Sequence, residues 1–357
     1  MAAIHRLHMI NCRHFDNLLI EACTGINLIT GPNASGKTTI LEAIYVLAHG
    51  KSFRASSLDD VIHKKHDAMT LFAHLFQPDA SSLHSQSPQL GLKKARNQVL
   101  NLRLNQEDAR SIKLLTEQLP IQLITTESTR FFTDGPKLRR DFLAWGLFYT
   151  NEDYFRLWKL HQRALAQRNQ ALKFKLPAAD LKFWSVQLVE AAEKLDIFYQ
   201  NYLKVFELTL VSILKKFLPD VDLKLYYDRG WPMDMSLEES LLHALDKSYA
   251  LGYTTVGSHR LDIQLYVDHK EAHHVLSRGQ LKLASYGLSL AQGLVLKKIS
   301  QKSPIYLIDD LTAELDSTRQ AFVLNTLESL NAQVFVTSIE PMHHTFQPQL
   351  LKHFSLG

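Results

Sequence analysis

Apolar positions along the chain follow two rhythms, and their succession sketches an α/β protein with a helical middle. The short apolar run Gly25-Ile26-Asn27-Leu28-Ile29-Thr30 predicts a strand, and from Lys37 onward Ile40, Leu41, Ile44, Leu47 and Ala48 recur at helical spacing. Alternating runs at 69–76 and 99–104 predict two more strands, joined by a long loop at 78–88 that carries Ser81, Ser82, Ser85 and Ser87. No proline lies between Pro136 and Pro177, nor again until Pro219, so two segments of about forty residues each are free to be helical. In the second, Leu181, Trp184, Leu188, Ala191, Leu195, Phe198, Tyr202 and Val205 alternate spacings of three and four, which aligns them on one stripe. The first repeats Trp158, Leu165 and Leu172 at sevens. Two long helices meeting at a proline predict an antiparallel hairpin, a helical lobe inserted in an α/β protein. The α/β signals return from about Val256 and end in apolar runs at 305–308 and 334–336. The expected division is a first head part at 1–125, a helical arm or second lobe at 126–254, and a second head part at 255–357.

Composition narrows the class. The 357 residues suffice for two or three domains at roughly 100–200 residues each. With 46% hydrophobic and 21% charged residues, wholesale disorder and collagen-like repeats are excluded. Two cysteines, Cys12 and Cys23, cannot form a disulfide framework, and no apolar run reaches the roughly 18 residues of a membrane span, so a cytoplasmic protein without membrane association is expected. A formal charge of +4, from 40 basic and 36 acidic residues, tolerates a polyanionic partner without demanding one.

The candidate chemistry sits at the ends of the predicted strands. Gly31-Pro32-Asn33-Ala34-Ser35-Gly36-Lys37-Thr38 fits the phosphate-binding pattern G-x-x-x-x-G-K-[ST] and lies between a strand and a helix, the context that pattern requires. Small residues let successive N–H groups face a phosphate, Lys37 adds a positive charge, and the Thr38 hydroxyl is placed to ligate Mg²⁺. A second apolar strand runs into Asp309 and Asp310: the first is expected on the metal side, the second where it can orient or deprotonate an attacking water. Between these motifs, Leu276-Ser277-Arg278-Gly279-Gln280 opens another helical stretch and offers a second phosphate-binding surface, although one nucleotide needs only one.

Leu-Ser-x-Gly-Gln, then a helix, then the acidic strand resembles the signature motif of ABC-type ATPases, in which this surface caps ATP held by another subunit. Further stretches select within that superfamily: Gly50-Lys51-Ser52-Phe53-Arg54, Gly135-Pro136-Lys137-Leu138-Arg139-Arg140, Gln167-Arg168-Asn169 and Gly257-Ser258-His259-Arg260-Leu261-Asp262. In order and spacing they resemble the RecF family of bacterial recombination-mediator ATPases, over almost the whole chain. The resemblance implies an ABC-type P-loop head related to SMC heads, with a much shorter helical arm. It implies binding of ATP with Mg²⁺, an ATP-dependent homodimer, duplex and gapped DNA as ligand, slow hydrolysis, and work with RecO and RecR in loading RecA.

Carried onto this sequence, Gln122 resembles the glutamine that senses metal and γ-phosphate, and Glu314 and Asp316 resemble the loop that crosses the dimer interface. Thr39 follows the phosphate loop where the family commonly has Asn, Ser258 stands where proline is usual, and Ala144 lacks the usual aspartate. Thr337 and Ser338 stand where transporters carry a switch histidine, and a missing polar sensor there is one reason to expect slow turnover. Arg139, Arg140, Arg163 and Arg168 of the middle lobe are candidates to neutralise DNA phosphates. A transporter nucleotide-binding subunit and a P-loop small-molecule kinase are the competing readings.

Overall fold

The computed structural model describes residues 3–76, 87–339 and 351–356, apart from the side chains at 313 and 314. The predicted serine-rich loop lies outside the described residues except for its last two positions. The chain forms two compact units: Met1–Ser128 with Leu296–Gly357, and Thr129–Val295.

The first unit holds strands β1 (Ile4–Cys12), β2 (Phe15–Glu21), β3 (Ile26–Thr30), β4 (Ala68–Leu75), β5 (Gln89–Ala95), β6 (Asn101–Leu104), β7 (Glu107–Asp108) and β8 (Ile121–Ile124). The second unit contributes β9 (Leu223–Asp228), β10 (Asp262–Val267) and β11 (Lys270–Glu271), and the chain then returns to the first with β12 (Ile305–Ile308), β13 (Val334–Ser338) and β14 (Leu351–Ser355).

Two sheets make the head. An antiparallel sheet runs β2-β1-β4-β5-β6-β7, and a parallel one runs β14-β3-β13-β12-β8. Their sequences differ as their burial does. β4 alternates between half-buried and buried positions, one face against the core, whereas β3, β12 and β13 are buried at every position and are mostly apolar. The helix Lys37–His49 lies in the core between them, where Ile40, Leu41 and Ile44 join one cluster with Leu7, Met9, Leu71, Leu307 and Phe335. Gly50, left-handed at φ 64°, ends that helix by donating its N–H to the Val46 carbonyl.

The second unit is mostly helical. Its first proline-free segment is two helices, Pro136–Thr150 and Tyr154–Lys173, because Asn151 Oδ1 accepts the N–H groups of Asp153 and Tyr154 and opens the second. The other is a single helix, Ala178–Phe217, about 60 Å long at 1.5 Å per residue. It packs antiparallel on Tyr154–Lys173 beyond the turn at Pro177. Leu181, Leu188, Ala191, Leu195 and Tyr202 of the predicted stripe are buried, but Trp158 is not: Leu157 takes its place on the inner face.

One expectation needs correction here. The first strand signal after Val256 belongs to the helical unit, because β10 pairs along its length with β9 and over its last two residues with β11, whereas the runs at 305–308 and 334–336 are head strands. The head therefore resumes near Leu296, inside the helix Arg278–Ser300, and not at 255.

Candidate nucleotide site

Parallel strands deliver their carboxyl ends to one edge, and three neighbours do so here: β3 enters the phosphate loop, β12 ends at Asp309, and β13, between them, carries Thr337. The loop is shaped by two glycines. A Cβ at Gly31, φ 155°, would fall 2.5 Å from the Leu356 carbonyl oxygen; one at Gly36, φ 102°, would fall 2.4 Å from the His14 ring. Lys37 curls back over the loop, donating from Nζ to the carbonyls of Gly31 (2.7 Å) and Pro32 (2.9 Å). The Ser35 hydroxyl is buried with no hydrogen-bond partner among the described residues.

The acidic end meets the loop directly. Thr38 Oγ1 donates to Asp309 Oδ1 at 2.9 Å, and Thr337 Oγ1 donates to the same oxygen at 2.8 Å. The Thr337 hydroxyl also accepts the Asp310 N–H at 2.8 Å. Asp310 adopts a left-handed conformation at φ 58°, and its Oδ1 is buried without a hydrogen-bond partner among the described residues. A hydroxyl and a carboxylate are the hard oxygen donors that Mg²⁺ takes, and the glycine cradle with the unpaired Ser35 and Asp310 oxygens fits a phosphate chain and its attacking water. Thr337, expected to mark a missing polar sensor, is instead the hydroxyl that ties both acids together.

Sequence reasoning also passed over the support of the phosphate-loop helix. Glu42, fully buried, accepts from Arg13 Nε at 2.8 Å and from Ser52 Oγ at 2.5 Å, which gives the Gly50 to Arg54 stretch its structural purpose. Glu42 lies within the helix and Arg13 in the β1–β2 turn, and neither carries a motif. Burial, followed by the Glu42 charge, pushes the neighbouring Cys12 thiol up to about 12, so this cysteine stays protonated and inert.

Gln122 does not join the site. It pairs with Tyr306, three residues and about 10 Å along the strand from Asp309, and is 6% exposed. The Asp309 N–H bonds instead to the Ile124 carbonyl, so the segment that continues β8 past Ile124, beginning at Thr125, borders the acids.

Ser277, Arg278 and Gly279 are exposed at the start of the helix Arg278–Ser300 in the other unit. Ser277 N–H donates to Gln280 Oε1 at 2.8 Å and Gln280 N–H to Ser277 Oγ at 3.3 Å, a reciprocal cap. A Cβ at Gly279 would meet nothing within 4 Å, so this end of the helix is open to a partner. Asp316 caps the helix Ser317–Ser329 through the Arg319 N–H, a bond that leads the causes holding its carboxyl below the usual range. The Glu314 side chain lies outside the described residues.

Two of the four arginines expected to meet DNA are buried inside the helical unit instead. Arg139 is buried in a two-pronged pair with Asp262, at 2.7 and 2.9 Å, and Arg168 is 1% exposed, donating to Ser185 and Thr254. Arg140 is half-buried and holds the Leu261 carbonyl. Arg163 alone among the four is exposed.

A family model described as the RecF/RecN/SMC N terminal domain matches residues 3–355. The DNA replication and repair protein RecF of Shewanella loihica is 38% identical over 339 residues, covering 95% of this chain and 92% of that protein. The chain belongs to the RecF family. Its counterpart from Shewanella frigidimarina is 37% identical over the same length. In solved structures the fold is shared with the recombination mediator protein RecF bound to ATP, at a TM-score of 0.84 and 22% identity over 96% of this chain and 93% of that one. An Smc head bound to the C-winged helix domain of ScpA aligns at a TM-score of 0.57 and 16% identity over 95% and 90%. The architecture is thus the ABC-type ATPase head of RecF and SMC proteins, with a helical insertion. No helix among the described residues is long and apolar enough to cross a membrane.

Proposed function

We propose that the protein is an ATP-driven clamp for duplex and gapped DNA that works with RecO and RecR to place RecA during recombinational gap repair. The observation that carries the reading is the chain of contacts Thr38–Asp309–Thr337–Asp310 beside the phosphate loop, in a family whose other members are named as replication and repair proteins. Lys37 neutralises phosphate charge in the ground state. Asp310 orients the attacking water and accepts its proton at the carboxylate oxygen left unpaired. Thr38 and Asp309 would hold Mg²⁺, which supplies charge neutralisation between phosphates.

Ser277 and Gly279 serve a γ-phosphate presented by a second subunit, so ATP drives dimerisation, and hydrolysis releases the DNA. Phosphate contacts dominate, hence binding is salt-sensitive and indifferent to sequence. Sedimentation with and without ATP and duplex DNA tests this. A dimer only with ATP, and DNA comigration only with the dimer, is expected; a nucleotide-independent monomer on DNA would refute the clamp.

A further inference from the structure

In the helical unit, two loops lie back to back and build a surface cavity of about 660 Å³ that the clamp does not use. Gly230, left-handed at φ 91°, approaches Gly257 so closely that a Cβ would stand 2.3 Å from the Gly257 carbonyl oxygen, and the Gly257 N–H donates to the Gly230 carbonyl at 2.9 Å. Arg229 pins the same loop from behind, donating to the carbonyls of Trp231, Pro232 and Met235 with its guanidinium 4.7 Å from the Trp231 ring. The cavity is therefore pre-formed rather than a gap between mobile side chains.

Its chemistry is aromatic and cationic. Tyr226 and Tyr253 line it at 56% and 41% exposure above a buried Trp231. Lys247 and Arg260 flank them, neither with a carboxylate partner among the described residues, and the Arg260 guanidinium sits 5.6 Å from the Tyr253 ring. Asp228 is the one acid in the lining. A purely apolar ligand would leave the two cations unmet, and a cationic one would face two like charges. Flat π faces beside unpaired cations, with one carboxylate among the acceptors, match an unpaired nucleotide: its base stacks on tyrosine, its phosphodiester meets Lys247 and Arg260, and a base N–H reaches the Asp228 oxygen that the Gly230 N–H does not occupy.

We propose that this cavity takes an unpaired nucleotide of single-stranded DNA, and that it gives the clamp its grip on the single-stranded side of a gap. The choice of DNA rests on the proposed function; the pocket chemistry does not. Two arms keep these apart. In the first, the full chain without ATP is titrated with the oligonucleotide (dT)8, read by tryptophan fluorescence. In the second, ATP-loaded protein is given a gapless duplex or a gapped duplex carrying 2-aminopurine at the first unpaired position. Tyr226→Ala with Tyr253→Ala alters exposed side chains only and should weaken (dT)8 binding about tenfold or more. It should also abolish quenching of 2-aminopurine while leaving gapless-duplex affinity within about twofold. Arg260→Glu should weaken (dT)8 binding and steepen nothing on the gapless duplex. Unchanged (dT)8 affinity in the double variant, or equal losses on gapped and gapless DNA, would overturn the pocket. Duplex binding indifferent to ATP, with tyrosine-dependent (dT)8 binding intact, would overturn the clamp and support the pocket.

Discussion

The edge of the parallel sheet and the interior of the helical unit use charge in opposite ways. At the sheet edge, Thr38 from the start of its helix meets Asp309 and Asp310 from the end of β12, and one Asp310 oxygen is left without a hydrogen-bond partner among the described residues. Inside the helical unit, Arg139 and Arg168 are equally basic in sequence but are consumed by Asp262, Ser185 and Thr254. A charge is available for function only where the fold withholds its partner. Counting arginines on a helical segment cannot reveal that; tracing their hydrogen bonds does.

The sharpest test of the sheet edge separates its two charges. Asp310→Asn should slow ATP turnover by about 10²–10⁴-fold while ATP binding and the ATP-bound dimer persist. Lys37→Ala should instead weaken ATP binding and turnover together, both read by nucleotide titration and single-turnover kinetics. Equal affinity losses in the two would erase the division of roles.

The helical interior should answer with stability. Arg139→Ala strands the half-buried Asp262 carboxylate with only the Ile263 N–H, at a cost of about 3 kcal/mol by urea denaturation. Arg163→Ala, at an exposed position, should stay within about 0.5 kcal/mol and act only on DNA affinity. Were the costs reversed, the assignment of structural and available cations would be inverted.

Acid offers a third probe. Burial, with His259 nearby, lowers His161 to about 4, and burial likewise holds His259 at about 4. A histidine kept neutral in the fold binds fewer protons than in the unfolded chain. Its stabilisation is therefore intact above the usual value near 6.5 and is lost as pH falls from there toward 4. His161, 2% exposed, would account for roughly 3 kcal/mol of that loss, and His161→Leu should flatten thermal stability across the window. Identical pH profiles for both proteins would reject the role of this residue.

The signature helix separates a modest folding cost from a large functional one. Ser277→Arg removes a cap worth about 1 kcal/mol and leaves ATP binding by the monomer unchanged. It should nevertheless abolish the ATP-dependent dimer in sedimentation, and a normal dimer would count against a composite site.

The head was legible in sequence because its chemistry is carried by contiguous segments: a phosphate loop or an acidic strand end brings its own backbone geometry with it. Positions set by register were not. Gln122 looks like a strand-end sensor until its pairing with Tyr306 places it deep in the sheet, and Thr337 looks inert until β13 is seen to lie between β3 and β12. The return to the head was misplaced because β10 reads as a head strand while its partners are β9 and β11. No stacking motif was visible either, since Tyr253 comes from a stretch apart from Tyr226 and Trp231 and is brought to them by the β9–β10 pairing and the contact of two glycines.

The position of β3 also sets an order of events during synthesis. The strand that feeds the phosphate loop lies between β13 and β14, and the Leu356 N–H bonds to the Thr30 carbonyl one residue before Gly31. Those neighbours leave the ribosome after the helical unit, whose residues are all made by Val295 and which is free to fold first. Until β13 and β14 arrive, β3 has two unpaired edges, and closing that long loop is the slow, high-contact-order step. The contacts of Thr38 and Thr337 with Asp309 can form only after the helical unit has been made, and the vulnerable interval is the one in which β3 waits for β13 and β14.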